Sequence, residues 1–352
     1  MSRTFRFWPL LAILILLLAA CGASPSAPAS SAAPATSASA VAASPATTDT
    51  AAASAASATE TPAEAVGTAL PDSPPLSLID SAGRTVEIAA VPERIVSLAP
   101  STTEILFAIG AGPRVLAVDA FSDFPVGAVS LPKIGGTNLT YDVEQIVALK
   151  PDLVLAAGIT PSDVVTQLAD LGLTVIVLGS VETSIESVFT EIELMGSVTG
   201  QRAQADQVVA EMRQKYEQIS ARVARATTQP RVYWELDATD VTKPYSVGPN
   251  NFVNDLITLS GGVNIFADVD SPYPQVGSEQ IVAANPEVIL LANAEYGVTS
   301  ESVVSRPGWN AISAVQQTKI FPIDSDLATR PGPRIIDGLE AVARLIHPEV
   351  FQ

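Results

Sequence analysis

The 352-residue sequence predicts an α/β protein of two lobes joined by one long helix, with a ligand cleft between the lobes. Three observations carry that prediction. Short apolar runs alternate with helical patterns from residue 95 onward, as buried parallel strands and their crossover helices do. A nearly duplicated segment occurs at 144–152 and again at 279–287. An amphipathic stretch at about 201–226 separates the two copies.

The chain opens with Arg3 and Arg6 and an apolar run at 7–20, too short for a membrane span. The run ends in Leu18-Ala19-Ala20-Cys21, which resembles the bacterial lipobox, where the chain is cut before a cysteine that becomes lipid-modified. Residues 1–20 are therefore assigned as a lipoprotein signal peptide and Cys21, the single cysteine, as the lipidation site. More than one acyl chain anchors stably where a single chain does not. Ala, Ser, Pro and Thr fill 45 of the 54 positions in 22–75, so 21–75 is expected to be a disordered tether.

The N-terminal α/β lobe is assigned to 76–182. An apolar strand at 95–98 precedes Ser101-Thr102-Thr103-Glu104, which has the spacing of a capping box, and a helix at 102–109 that stops at Gly110. Strand 115–118, helix 144–149, strand 153–156, helix 162–171 and strand 174–178 follow. A helical connector is assigned to 183–229. It begins with a second capping-box pattern, Thr183-Ser184-Ile185-Glu186. Its helix at about 201–226 would span roughly 39 Å at 1.5 Å per residue and carries the stripe Val208, Met212, Ile219 and Val223. The C-terminal lobe, 230–352, restarts the pattern with a strand at 232–236.

In the repeat, Glu-Gln-Ile-Val-Ala matches at 144–148 and 279–283, and Pro followed by an acid recurs at the same offset. A weaker echo precedes each copy: Glu104-Ile105-Leu106 before Gly110, and Asp255-Leu256-Ile257 before Gly261. The halves thus read as related, Rossmann-like lobes. Ligands favour such domain interfaces and the carboxyl ends of parallel strands. A stiff helical connector predicts limited hinge motion.

Charge and composition narrow the function. From residue 21 onward the chain holds 17 basic and 37 acidic residues, a surface that repels phosphate backbones, so nucleic acid is an unsuitable partner. One cysteine and one histidine exclude an internal disulfide and a His/Cys metal cluster. His347 is expected to be a solvated or capping residue. No nucleophile elbow, Walker A motif or His-Glu-x-x-His occurs, and no resident cofactor is implied. The chain reads as a binding protein rather than an enzyme.

Five separated segments, in order, resemble the substrate-binding proteins of iron-siderophore and vitamin B12 ABC importers, closest to the cobalamin-binding branch. They are Arg94-Ile-Val-Ser-Leu-Ala-Pro-Ser-Thr-Thr-Glu104, Phe121-Ser-Asp-Phe-Pro125, residues 144–152, Pro272-Tyr-Pro-Gln-Val-Gly-Ser-Glu279 and Arg330-Pro-Gly-Pro-Arg334. The resemblance spans about 92–350. It implies a two-lobed fold bridged by a long helix, a captured metal chelate with cobalamin favoured, and delivery to an ABC permease by a monomer facing outward from the membrane. It places permease docking on Glu144 and Glu279, and ligand contacts on Phe121, Tyr273, Asp326 and Arg330. Tyr245 is added as a ligand contact by its position after the first strand of the second lobe. Aromatic faces would hold a flat macrocycle, and Asp and Arg its peripheral amides.

This sequence departs from the cobalamin binder's pattern where Asn138 and Ala157 replace tryptophans. A ferric siderophore or heme therefore stays open as the ligand. Arg330, Arg334 and Arg306 are the candidates for a basic cleft. A tethered surface sensor or interaction module and, further off, a carboxylate-pair hydrolase are the readings of other classes.

Overall fold

The computed structural model describes residues 71–352. The signal peptide, Cys21 and nearly all of the proposed tether lie outside the described residues.

The described chain opens with a hairpin that sequence patterning did not reveal, β1 (Leu76–Ile79) against β2 (Thr85–Ile88). Its faces alternate strictly between buried and exposed. The Asp80 carboxylate accepts from Ala82 N–H, Arg84 N–H and the Arg84 guanidinium within the turn, and from Val177 N–H in the adjoining lobe. One buried acid thus closes the hairpin and fastens it.

The N-terminal lobe follows as β3 (Ile95–Ser97), α1 (Pro100–Ala108), β4 (Val115–Val118), α2 (Val126–Val129), α3 (Val143–Ala148), β5 (Leu153–Ala157), α4 (Ser162–Asp170) and β6 (Val175–Leu178). The strands form an all-parallel sheet in the order β4-β3-β5-β6. All five residues of β5 are buried, as expected for a strand covered on both faces.

The connector is a pair of helices, α5 (Ile185–Thr199) and α6 (Arg202–Val223). The second is the longest in the described chain, at 22 residues, and ends three residues before the predicted boundary. Its buried positions are Ala205, Val209, Met212 and Ile219, so the inward stripe is rotated from the one expected, with Val208 and Val223 only partly buried. Gly196 admits the close approach of the pair: a Cβ there would lie 2.5 Å from the Ala205 methyl.

The C-terminal lobe contains β7 (Arg231–Asp237), β8 (Tyr245–Ser246), α7 (Phe252–Leu259), β9 (Val263–Asn264), α8 (Ser278–Ala284), β10 (Val288–Leu291), α9 (Ser300–Val304), α10 (Ser313–Gln316), β11 (Ile320–Pro322), α11 (Ser325–Thr329) and α12 (Ile335–Ile346). Strands β9, β7, β10 and β11 pair in parallel in that order, while β8 adds antiparallel to the end of β7. This repeats the order β4-β3-β5-β6 of the first lobe, so the duplicated segments occupy equivalent places, α3 before β5 and α8 before β10.

One apolar cluster runs through both lobes and the connector. It takes Ile95, Leu155 and Ile176 from the first sheet, Ile192, Met195, Val209 and Met212 from α5 and α6, and Trp234, Leu290 and Leu339 from the second lobe. Separate clusters cover the far face of each sheet. A shared core ties the lobes more firmly than a linker would.

Three local expectations are corrected. Ser101 does not cap α1. The helix begins two residues earlier than expected, at Pro100, after Ala99, whose side chain makes no capping bond. In the connector the capping box is Ser184 with Ser187, not Thr183 with Glu186. Ser184 Oγ accepts from Ser187 N–H, and Ser187 Oγ accepts from Ser184 N–H. His347 is not solvated: it ends α12 with 1 % exposure, its ring nitrogens 3.0 Å from Glu349 Oε1 and 3.3 Å from the Gly261 carbonyl.

Candidate functional site

A cavity of about 510 Å³ lies between the lobes. Its first wall comes from the carboxyl end of β5 and from segments that follow β3, β4, β5 and β6, among them Ala99, Phe121, Ala157 and Val181. Its second wall comes from the end of β7, the start of α7, and the segments after β10 and β11, among them Leu236, Phe252, Tyr296 and Arg330. Both sheets therefore present their carboxyl ends to one space, where side chains from different strands converge.

Four of the five residues assigned to ligand contact line this cavity: Phe121, Tyr273, Asp326 and Arg330. Phe121 is 51 % exposed and offers a free ring. Tyr273 is partly buried, and burial pushes its phenol up to about 12, so it stays neutral. The fifth, Tyr245, does not line the cavity. It lies on β8, where its backbone bridges to Gln275.

The arginines do not form a basic cleft. Arg330 contacts Asp123 at 2.6 Å, Asp326 at 2.6 Å and Glu104 at 3.5 Å. Arg334 donates to both Glu104 oxygens, at 2.6 and 2.8 Å. Arg306 is buried away from the cleft, paired with both oxygens of Glu235 and lying 4.6 Å over the Trp309 ring. The Asp123 carboxylate is held below its ordinary range by the Arg330 hydrogen bond, whereas burial raises Asp326 despite the same neighbour.

Residue-by-residue sequence reading missed several lining groups. Tyr141 donates its hydroxyl to the Leu98 carbonyl at 2.9 Å. Leu139 is 49 % exposed and Tyr296 79 % exposed at the cavity. Asp119 accepts from Phe121 N–H at 2.9 Å and from the Ser122 hydroxyl, yet burial still raises its pKa. Glu191, on α5, lines the cavity with its carboxyl pushed up to about 7 by burial. Tyr141 had a usable signal: like Tyr273, it lies shortly upstream of a copy of the repeat. Where the resemblance expects tryptophans, Asn138 adopts a left-handed turn conformation and Ala157 contributes a small buried wall position.

Glu144 and Glu279 stand apart from the cavity. Each is exposed in the first turn of its helix, α3 or α8, and neither makes an ion pair with another described residue. Helix N-termini tolerate such acids well.

The model for the periplasmic binding protein family matches residues 95–327. An ABC transporter substrate-binding lipoprotein of Bacillus subtilis, YvrC, is 32 % identical over 281 residues, covering 79 % of this chain and 87 % of the relative. A vitamin B12-binding protein of Vibrio cholerae is 32 % identical over 258 residues, covering 71 % and 87 %. The crystal structure of a possible iron-binding, periplasmic solute-binding protein from Staphylococcus epidermidis superposes with a TM-score of 0.64 at 27 % identity, over 73 % of this chain and 99 % of that one. The chain therefore belongs to the periplasmic binding protein family, as a substrate-binding component of ABC import and not as an enzyme.

Proposed function

We propose that this protein captures a corrinoid in the interlobe cleft and delivers it to an ABC permease, anchored to the outer face of the cell membrane through lipidated Cys21. The carrying observation is the charge state of the cleft. Among the described residues the one cation lining it, Arg330, already faces three carboxylates, and Asp119, Glu191 and Glu295 add further acidic groups to the walls. An anionic ferric chelate would bring like charge to this space and find no free guanidinium. A corrinoid presents a flat ring edged with neutral carboxamides. Phe121, Tyr273 and Tyr296 supply apolar faces, and Asp326 with Arg330 supplies acceptors and donors. Ala157 leaves room at the wall where a bulkier ring would narrow the cleft. The similarity to vitamin B12-binding proteins supports the same ligand class.

A second reading, heme, draws on the three cleft phenols Tyr141, Tyr273 and Tyr296, because tyrosine can ligate heme iron. The raised pKa of Tyr273 works against its ionisation.

Calorimetric titration of the full chain separates these readings. The expected result is saturable 1:1 binding of cyanocobalamin with submicromolar Kd, more than about 8 kcal/mol of binding free energy. Hemin and a panel of anionic and cationic ferric siderophores serve as competitors. Cyanocobalamin that fails to bind while one competitor saturates the protein would move the ligand to that chelate and keep the transport role.

A further inference from the structure

Apart from the connector and the shared core, a second set of contacts crosses between the lobes. Glu104 on α1 belongs to the first lobe and is 3 % exposed. Arg334, at the start of α12, belongs to the second lobe and lies 230 positions away. Its guanidinium makes two parallel hydrogen bonds to the Glu104 carboxylate, the bidentate geometry that fixes direction as well as distance. The same guanidinium covers the Phe124 ring of the first lobe at 4.0 Å. Arg330 reaches Glu104 and Asp123 across the gap while holding Asp326 on its own side. Between the two arginines, a Cβ added at Gly332 would lie 3.5 Å from the Ser101 carbonyl oxygen.

We infer that Glu104 is the centre of an interlobe clasp, a positioning residue that sets the gap between the lobes and the direction of Arg330. The carboxylate is almost completely withdrawn from water and two cations converge on it, so salt screens it little; its loss takes from Arg334 its carboxylate partner, while Arg330 keeps Asp123 and Asp326. The clasp opposes rocking of the lobes about the connector at a contact formed by chain segments far from the connector in sequence. Glu104 sits at the end of a motif whose spacing suggested helix capping, a role it does not play.

The test is the distance between two spin labels on the ligand-free full chain. They are introduced through unnatural amino acids at Asp163 on α4 and Gln316 on α10, which leaves Cys21 untouched. Both sites are exposed and neither lines the cleft. The distribution is expected to be narrow in the parent, and to broaden about twofold in both Glu104→Gln and Arg334→Gln. The double variant should be no broader than either single variant, because both remove the same contact. Glu340→Gln, which breaks ion pairs to Lys215 and Arg344 away from the cleft, should keep the parent width. Circular dichroism checks folding. If Glu104→Gln fails to fold, Arg334→Gln decides alone, since its head group is nearer the surface. Parent-like distributions in the folded variants would overturn the clasp, as would additive broadening in the double variant.

Discussion

At the residue scale, Glu191 shows how position alters chemistry. It lies in an amphipathic helix that reads as ordinary in sequence, yet its carboxyl faces the cleft and burial lifts it from 4.5 to about 7. A carboxyl raised in the folded state contributes stability that is complete below the unfolded value. That contribution is lost as pH rises toward and through 7. The parent is therefore expected to lose melting temperature relative to Glu191→Gln between about pH 4.5 and pH 8, with the two curves parallel below that window. Thermal unfolding across that range checks it, and parallel curves throughout would reject the assignment. Tyr273 was legible as a cleft residue because it lies in a recognisable motif, and Asp326 because it lies four residues before one. Glu191 was not, because nothing in its neighbours along the chain marks the side on which the cleft lies.

At the element scale, the repeated junction explains its own sequence. Asp152, after Pro151, accepts from the backbone N–H groups of Glu93 and Arg94. Glu287, after Pro286, accepts from Arg231 N–H. The guanidinium of Arg94 donates to Leu149 and Lys150 carbonyls, and that of Arg231 to the Asn285 carbonyl, closing each helix end against the start of a neighbouring strand. Lys150 and Asn285 both adopt φ near +48° at the turn. A Pro and an acid at fixed offset are thus the trace of one strand-entry device used twice. Helix starts were less legible, because Ser, Thr and Glu also serve tertiary contacts. Thr102 and Thr103 near the supposed cap bond Ser97 and Ser122 instead. Ser184→Ala should cost about 1 kcal/mol through loss of a true cap, and Ser101→Ala distinctly less. Urea unfolding of the two variants compares them, and equal losses would contradict the observed capping.

At the scale of the whole molecule, the equivalent placement of α3 and α8 gives Glu144 and Glu279 matching positions, one on each lobe. Two separated charges fix orientation as well as attraction, and charge pairs across interfaces couple by roughly 1.5–7 kcal/mol, more than an isolated surface pair. Replacing both with Ala is expected to abolish uptake in cells while leaving ligand affinity within about twofold, because neither residue lines the cavity. Undiminished uptake would remove the docking role, and a large affinity loss would place these residues in ligand binding instead.

By itself the sequence determined the two α/β lobes, the long connecting helix, the repeat and its paired glutamates. These are written in local periods, turn residues and duplicated motifs, which act over a few neighbouring positions. Only the tertiary structure decided which charges cancel, which polar groups are buried and which side chains meet in the cleft. Arg330 and Arg334 read as candidates for a basic cleft until Glu104 is found against them from the other lobe. His347 read as solvated or capping; it caps the end of α12, and the turn at Gly261 covers it. The physical reason is the same in each case: burial and ion pairing depend on groups that are far apart along the chain and meet only after the two sheets share a core.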